Sequence, residues 1–262
     1  LSTVSSTCNL PQSRVNRRCE ENMTIERVAL YAPGDMGHAI GRVMVENGID
    51  VVTNLADRSL RTMELADKAG IRDVADDLAA IDGSDVVLSI LPPSHALPLA
   101  ERLASAIGLA ERRPIYVDLN AIAPASAVEV GETIDAVGGP FLDGGIIGGP
   151  PKSGRGGGPR IYISGDEDLV ERVLGLRQAG LDVRAVSGGV GAASALKMCY
   201  AAITKGLTAI ATQSMTAARA YGVEADLAKE LAASQRMLLD RFDRSLPDMA
   251  PKAYRWVGEM EE

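Results

Sequence analysis

Apolar residues follow two alternating rhythms along the first two thirds of the chain. Short continuous runs rich in Val, Ile and Leu stand at 27–31, 50–54, 85–91 and 114–119. Runs of that length and make-up read as strands buried on both faces. Between them, 39–47, 60–69 and 95–107 repeat apolar residues at spacings of three and four, as helices with one buried face do. The alternation predicts an α/β fold: a Rossmann-like, doubly wound, mostly parallel sheet with helices on both sides. Ligands of such sheets bind in the crevice at the carboxyl ends of the strands. Further runs at 141–144, 160–164 and 181–186, with a helix over 166–177, predict extra strands on the same sheet.

The rhythm changes near residue 188. From 190 to 220 there is no proline, only Gly191 and Gly206 intervene, and the apolar spacing stays helical. One long helix, or two joined at Gly206, is expected to open an all-α C-terminal domain. More helix is predicted over 224–242 and from 253 onward. The expected division is a dinucleotide-binding domain at 23–187 and a helical domain at 188–262. Residues 1–22 are polar and lack the apolar core of a secretory signal, so a disordered or non-native extension is expected there. The last helix has no glycine or lysine stop signal, and the helical domain is expected to be truncated at Glu262.

Composition narrows the function classes. A chain of 262 residues with 46% hydrophobic and 24% charged residues can bury a large core. Aromatics are only 3%, so that core must rest on Ala, Val, Leu and Ile. A formal charge of −8 speaks against nucleic acid as the main partner. No apolar run reaches the roughly 18–20 residues of a membrane helix. Cys8, Cys19 and Cys199 lack metal-ligand spacing and fit a reducing, cytoplasmic location, with Cys199 expected in the core. His38 and His95 are isolated, so no metal site is expected.

The first candidate chemistry is Ala32-Pro33-Gly34-Asp35-Met36-Gly37, set between a predicted strand and a predicted helix. This is the layout of a dinucleotide fingerprint with alanine at its first glycine. Pro33, Gly34, Asp35 and Met36 are expected to meet the pyrophosphate, facing the free N–H groups of the helix. Twenty residues after Gly34, where NAD-selective domains place an acidic side chain, stands Asn54. Asn54, Arg58 and Ser59 are expected to accept a ribose 2′-phosphate, favouring NADP. NAD is the alternative, with Asp57 as the ribose carboxylate.

Four segments in order resemble the β-hydroxyacid dehydrogenase superfamily, which includes 6-phosphogluconate and 3-hydroxyisobutyrate dehydrogenases. They are the fingerprint; Leu88-Ser89-Ile90-Leu91-Pro92; Asp118-Leu119-Asn120-Ala121-Ile122-Ala123-Pro124 together with Asp143-Gly144-Gly145-Ile146-Ile147-Gly148-Gly149; and Gly191-Ala192-Ala193-Ser194-Ala195-Leu196-Lys197. Asn120-Ala121 and Lys252-Ala253-Tyr254-Arg255-Trp256 resemble the phosphogluconate-dehydrogenase-like subgroup with an uncharacterised C-terminal domain. The resemblance implies hydride transfer between a nicotinamide cofactor and a small β-hydroxy acid or related compound. It implies Lys197 as general acid/base; Leu91, Pro92 and Asn120 at the cofactor; and Asn120, Ile147, Gly148 and Gly149 at the substrate.

The residues add their own case for Lys197. An ammonium in the apolar stretch Ala195-Leu196-Lys197-Met198-Cys199 is desolvated, which lowers its pKa toward the range useful for proton transfer. The family's asparagine four residues on is Ala201 here, leaving Tyr200, Thr204 or Lys205 to supply that hydrogen bond. The glycine-rich loop 144–158 carries Lys152 and Arg155, which would meet an anionic group of a small-molecule substrate. The long helix is expected to pair two copies in a homodimer. Two alternatives stay open: an imine reductase on the same fold, against which Lys197 counts, and a non-catalytic NADP-binding redox sensor.

Overall fold

A computed structural model describes residues 24–151, 158–251, 253 and 256–262. The expected extension at 1–22 and the loop cations Lys152 and Arg155 lie outside the described residues.

The first half alternates as its apolar rhythm predicts. Strand β1 (Arg27–Tyr31) leads into helix α1 (Gly37–Glu46), then β2 (Asp50–Thr53), α2 (Leu60–Lys68), β3 (Arg72–Asp73) and α3 (Asp77–Ile81). After β4 (Val86–Ser89) come α4 (Ala96–Leu109), β5 (Ile115–Asp118), α5 (Pro124–Asp135) and β6 (Phe141–Ile147). Strands β7 (Arg160–Gly165) and β8 (Asp182–Ala185) flank α6 (Glu167–Leu174). They form one sheet in the order β3-β2-β1-β4-β5-β6-β7-β8. All neighbouring pairs are parallel except β6 and β7. The chain reverses its direction of travel across the sheet between β1 and β4, which makes their carboxyl ends the topological switch point.

Each sheet face has its own core. One buries Leu30, Ile40, Met44, Leu88 and Val117, and the other Tyr31, Val87, Leu103, Tyr116 and Ile134. Aliphatic side chains dominate both, as the scarcity of aromatics requires. Burying each such side chain contributes about 1.5–3 kcal/mol.

The helical region opens with a single uninterrupted helix, α7 (Ala192–Ala220), which passes through Gly206 without a break. The helix expected over 224–242 is instead two, α8 (Glu224–Ser234) and α9 (Arg236–Met249), because Gln235 leaves the helical region at φ −139, ψ 45. A short helix, α10 (Trp256–Glu261), follows. No helix among the described residues is long and apolar enough to cross a membrane.

Candidate functional site

The fingerprint turn is built by backbone constraints that its residues meet unevenly. Ala32 adopts a left-handed φ of 58°, a strain that a glycine there would relieve. Gly34 N–H donates to the Ala32 carbonyl (2.7 Å), closing the turn. Gly37 has no freedom to change: a Cβ there would meet the Ala32 carbonyl oxygen at 2.6 Å. The cradle around Gly34 is open, its hypothetical Cβ meeting nothing nearer than 4.0 Å. Helix α1 starts at Gly37 without a side-chain cap, and the His38 N–H in its first turn donates to the Gly34 carbonyl (2.9 Å), so the turn itself caps part of the helix start beside the switch point. Asp35 is ion-paired with Arg61 of α2 (2.5 Å), which places a further cation beside the turn.

Beyond β2 the structure gathers a charged cluster. Asp77, in the first turn of α3, accepts from Asn54 Nδ2 (2.8 Å) and the Tyr31 hydroxyl (3.1 Å) and pairs with Arg102 of α4 (3.1 Å). Arg102 also lies over the Tyr31 ring, 5.6 Å from its centroid. Burial and the Arg102 charge both push the half-buried Arg58 guanidinium below its usual range. Arg102 is thus paired with Asp77, and Arg58 adds a second positive charge nearby, beyond β2. The Ser59 hydroxyl caps α2 by accepting from Thr62 N–H. Asp57 is exposed, at a left-handed φ of 61°. Arg102 escaped the sequence reading because nothing in a helix repeat tells which loop that side chain will oppose.

A fully buried polar row crosses the sheet level with the carboxyl ends of β1, β4 and β5. Tyr31, Ser89, Asp118, Asp143 and Ser164 pair in register from β1 through β4, β5 and β6 to β7. Burial pushes the Asp118 carboxyl up to about 7, against the hydrogen bonds it receives from Asn120 and Ser89. Asp143 holds the start of α7: it accepts from Gly191 N–H (3.0 Å), Ser194 N–H (2.9 Å) and the Ser194 hydroxyl (2.5 Å). Ser164 donates to the same carboxylate (3.2 Å) and accepts from Ala193 N–H (2.9 Å).

This clamp sets Lys197 just over one turn further on. Its stem lies on β6 at Gly145, where an added Cβ would come within 2.9 Å of the Lys197 Cβ. Among the described residues Lys197 makes no hydrogen bond or ion pair, and burial alone lowers its pKa below the ordinary lysine value. It is a part-buried ammonium whose charge is disfavoured by desolvation and has no carboxylate partner among the described residues.

The remaining predicted residues are placed as follows. Asn120 is buried, and its amide bonds Asp118, Ser89 and the Leu91 N–H. Ile147 is buried at the end of β6, Gly148 has φ 123° against Pro159, and Gly149 faces open space. Thr204 turns its hydroxyl back onto the Tyr200 carbonyl (2.9 Å), while the Tyr200 ring is exposed. Lys205 is ion-paired with Glu259 of α10 and lies 5.3 Å from the Trp256 ring centroid. Burial and the Lys197 charge nonetheless bring the Lys205 ammonium down to about 8. The Glu262 carboxylate, just after α10, accepts from Ala123 N–H and the Ser126 hydroxyl at the start of α5. Cys199, expected in the core, is exposed: it lies on the outward side of α7 beside Tyr200.

Known proteins give the same outline. Residues 27–183 match the family described as the NAD binding domain of 6-phosphogluconate dehydrogenase, and 218–262 match a domain of unknown function, DUF1932. A conserved protein whose solved structure was reported as similar to 3-hydroxyacid dehydrogenases is 29% identical, with a TM-score of 0.70 over 90% of this chain and 87% of that one. Mycobacterium tuberculosis 3-hydroxyisobutyrate dehydrogenase is 20% identical, with a TM-score of 0.65 over 81% of this chain and 72% of that one. An imine reductase from Myxococcus stipitatus in complex with NADP+ is 21% identical, with a TM-score of 0.64 over 88% and 77%. An uncharacterised 28.5 kDa protein of Methanothermus fervidus is 25% identical over 197 residues, 75% of this chain and 72% of that protein.

Proposed function

The chain belongs to the family of the NAD-binding domain of 6-phosphogluconate dehydrogenase, and from that premise we propose that it is an NADP-preferring dehydrogenase or reductase acting on a small β-hydroxy acid or related compound. The observation that carries the proposal is Lys197: a desolvated lysine without a partner, anchored by Asp143, on the helix that follows the nucleotide-binding sheet. The residues present fit a dinucleotide. Gly34 leaves an open cradle, the positive end of the α1 dipole faces the turn with no side chain over it, and Arg58 and Arg102 supply positive charge beyond β2.

The nicotinamide, when bound, supplies the hydride acceptor or donor. Lys197, as the free amine, takes the proton from the substrate hydroxyl at Nζ. In the opposite direction its ammonium returns that proton to the carbonyl oxygen. The clamp at the start of α7 holds the backbone that carries Lys197, and packing of its stem on Gly145 of β6 desolvates the amine and lowers its basicity.

Titration with NADPH and NADH by nicotinamide fluorescence tests the cofactor, and a panel of hydroxy acids and cyclic imines tests the chemistry. Tight dinucleotide binding with turnover on a hydroxy acid supports the proposal. Turnover on imines alone would reassign the protein as an imine reductase, and binding without any turnover would leave a redox sensor. Replacing Arg58 with alanine is expected to weaken NADPH roughly ten- to a hundredfold, the loss of one or two charge-assisted bonds, and to leave NADH within about twofold. Equal loss for both would remove the 2′-phosphate from the Arg58 subsite.

Helix α7 also bears an exposed apolar stripe of Leu196, Tyr200, Ile203 and Ile210. Spacings of four, three and seven keep these on one side, and we propose that this side pairs with a second copy. Sedimentation equilibrium at micromolar concentration is expected to give a dimer, and a monomer under those conditions would refute it.

A further inference from the structure

We propose that Asn120 is a positioning residue for the nicotinamide half of the cofactor, tying the turn at 91–93 to the ends of β4 and β5. The inference rests on the dinucleotide reading above and changes the role of Asn120: the resemblance implies that it touches cofactor and substrate, whereas its amide is engaged within the fold and acts through the backbone of the turn.

The turn is poor in backbone hydrogen-bond donors. Ile90 N–H reaches the Tyr31 carbonyl at 3.3 Å, and Leu91 N–H bonds Asn120 Oδ1 at 2.5 Å. Pro92 and Pro93 have no N–H to offer. Ser89 is still part of the ladder, its carbonyl accepting from Leu119 N–H (3.0 Å), so beyond Ile90 the short bond to Asn120 is the main tether between the turn and the sheet. The segment leaves β4 beside the switch point, where a dinucleotide crosses from β1 toward the later strands.

Asn120 is itself locked in one orientation. Its Nδ2 donates to Asp118 Oδ2 (2.7 Å) and to Ser89 Oγ (2.8 Å), and its own N–H donates to Asp118 Oδ1 (2.9 Å). Turning the amide over would set its oxygen against a carboxylate and its NH₂ against the Leu91 N–H. The polar row across the sheet thus fixes the amide, and the amide fixes the turn. A shorter side chain would satisfy Asp118 in part but would not reach Leu91.

The test uses the whole protein and two probes: the better bound of NADPH and NADH, and its adenine-half fragment (2′,5′-ADP or ADP), each titrated by calorimetry. Asn120→Ala is expected to bind the full dinucleotide roughly tenfold more weakly, the equivalent of one good hydrogen bond, with the fragment unchanged within about twofold. Asn120→Ser keeps a donor for Asp118 but lacks the reach, and is expected to behave alike; it serves if the alanine variant does not fold. A general structural loss would weaken dinucleotide and fragment together, and that result, or no change in either, overturns the proposal. Wild-type protein that binds neither NADPH nor NADH would instead overturn the underlying dinucleotide reading, and this inference with it.

Discussion

Lys197→Ala is expected to lower turnover by about 10²–10⁴-fold, the usual contribution of a positioned general acid or base, while leaving dinucleotide affinity nearly unchanged. The separation of the two effects is the informative part. Lys197 lies on α7, against Gly145 of β6, whereas the proposed phosphate cradle is the turn from Gly34 to Gly37 that leads into α1. Loss of the amine removes proton transfer and little else. Retained turnover in Lys197→Ala would assign the proton to another group, and lost cofactor binding would make the lysine a ligand rather than a catalyst.

The pH dependence carries a definite sign. Burial lowers the Lys197 pKa from its ordinary value. Alcohol oxidation needs the free amine, so its rate should rise with pH, along a limb lying below the ordinary lysine range. Carbonyl reduction needs the ammonium, so its rate should fall through the same limb. Both limbs should vanish in Lys197→Ala. A rate measured against pH in each direction therefore identifies the group without a crystal of a complex.

How much of this was legible in the chain depended on how local the cause was. The strands at 27–31 and 114–119 were readable because their apolar runs are what a sheet covered on both faces demands. Strand β3 was not: it has two exposed residues, Arg72 and Asp73, paired only to β2, and carries no apolar signal. Helix α3 spans five residues, too few to display a repeat. Helix α5 was passed over although Pro124 marks its first turn. The break between α8 and α9 at Gln235 has no glycine or proline to announce it.

The site divided along the same line. Gly34, Gly37 and Lys197 stand in contiguous phrases, so they could be named as candidates from sequence. The relations that hold them could not. Asp118 and Asp143 read as members of substrate-binding phrases, yet each turns into the fold, toward Asn120 and toward α7. Arg102 meets Asp77 across 25 residues of sequence, a distance no periodicity encodes. One clue was available. The start of α7 lacks any serine, threonine, aspartate or asparagine at its N-cap, which is Gly191, and a buried helix start without a local cap requires a distant one.

That distant cap makes Asp143 the second position where a large effect is expected. Asp143→Ala would leave the Gly191 and Ser194 N–H groups and two hydroxyls without their acceptor in a buried site. Each orphaned donor costs about 1–3 kcal/mol, and the start of α7 also loses a charge aligned with its dipole. With four such donors a loss of at least about 4 kcal/mol is expected, which for a chain of this size lowers the melting temperature by roughly 10 °C or more. Asp143→Asn keeps the volume and one oxygen acceptor, which can serve the two N–H groups while the new NH₂ faces the Ser194 hydroxyl. Its melting temperature should fall by only a few degrees, on the order of 1 kcal/mol. Turnover should fall further than that stability loss implies, because the first turn of α7 sets where the Lys197 amine sits. Calorimetric melting and single-turnover rates on both variants separate the two roles. A melting temperature unmoved in Asp143→Ala would mean that β6 does not hold the helix, and normal turnover in Asp143→Asn would mean that the hold does not matter to the lysine.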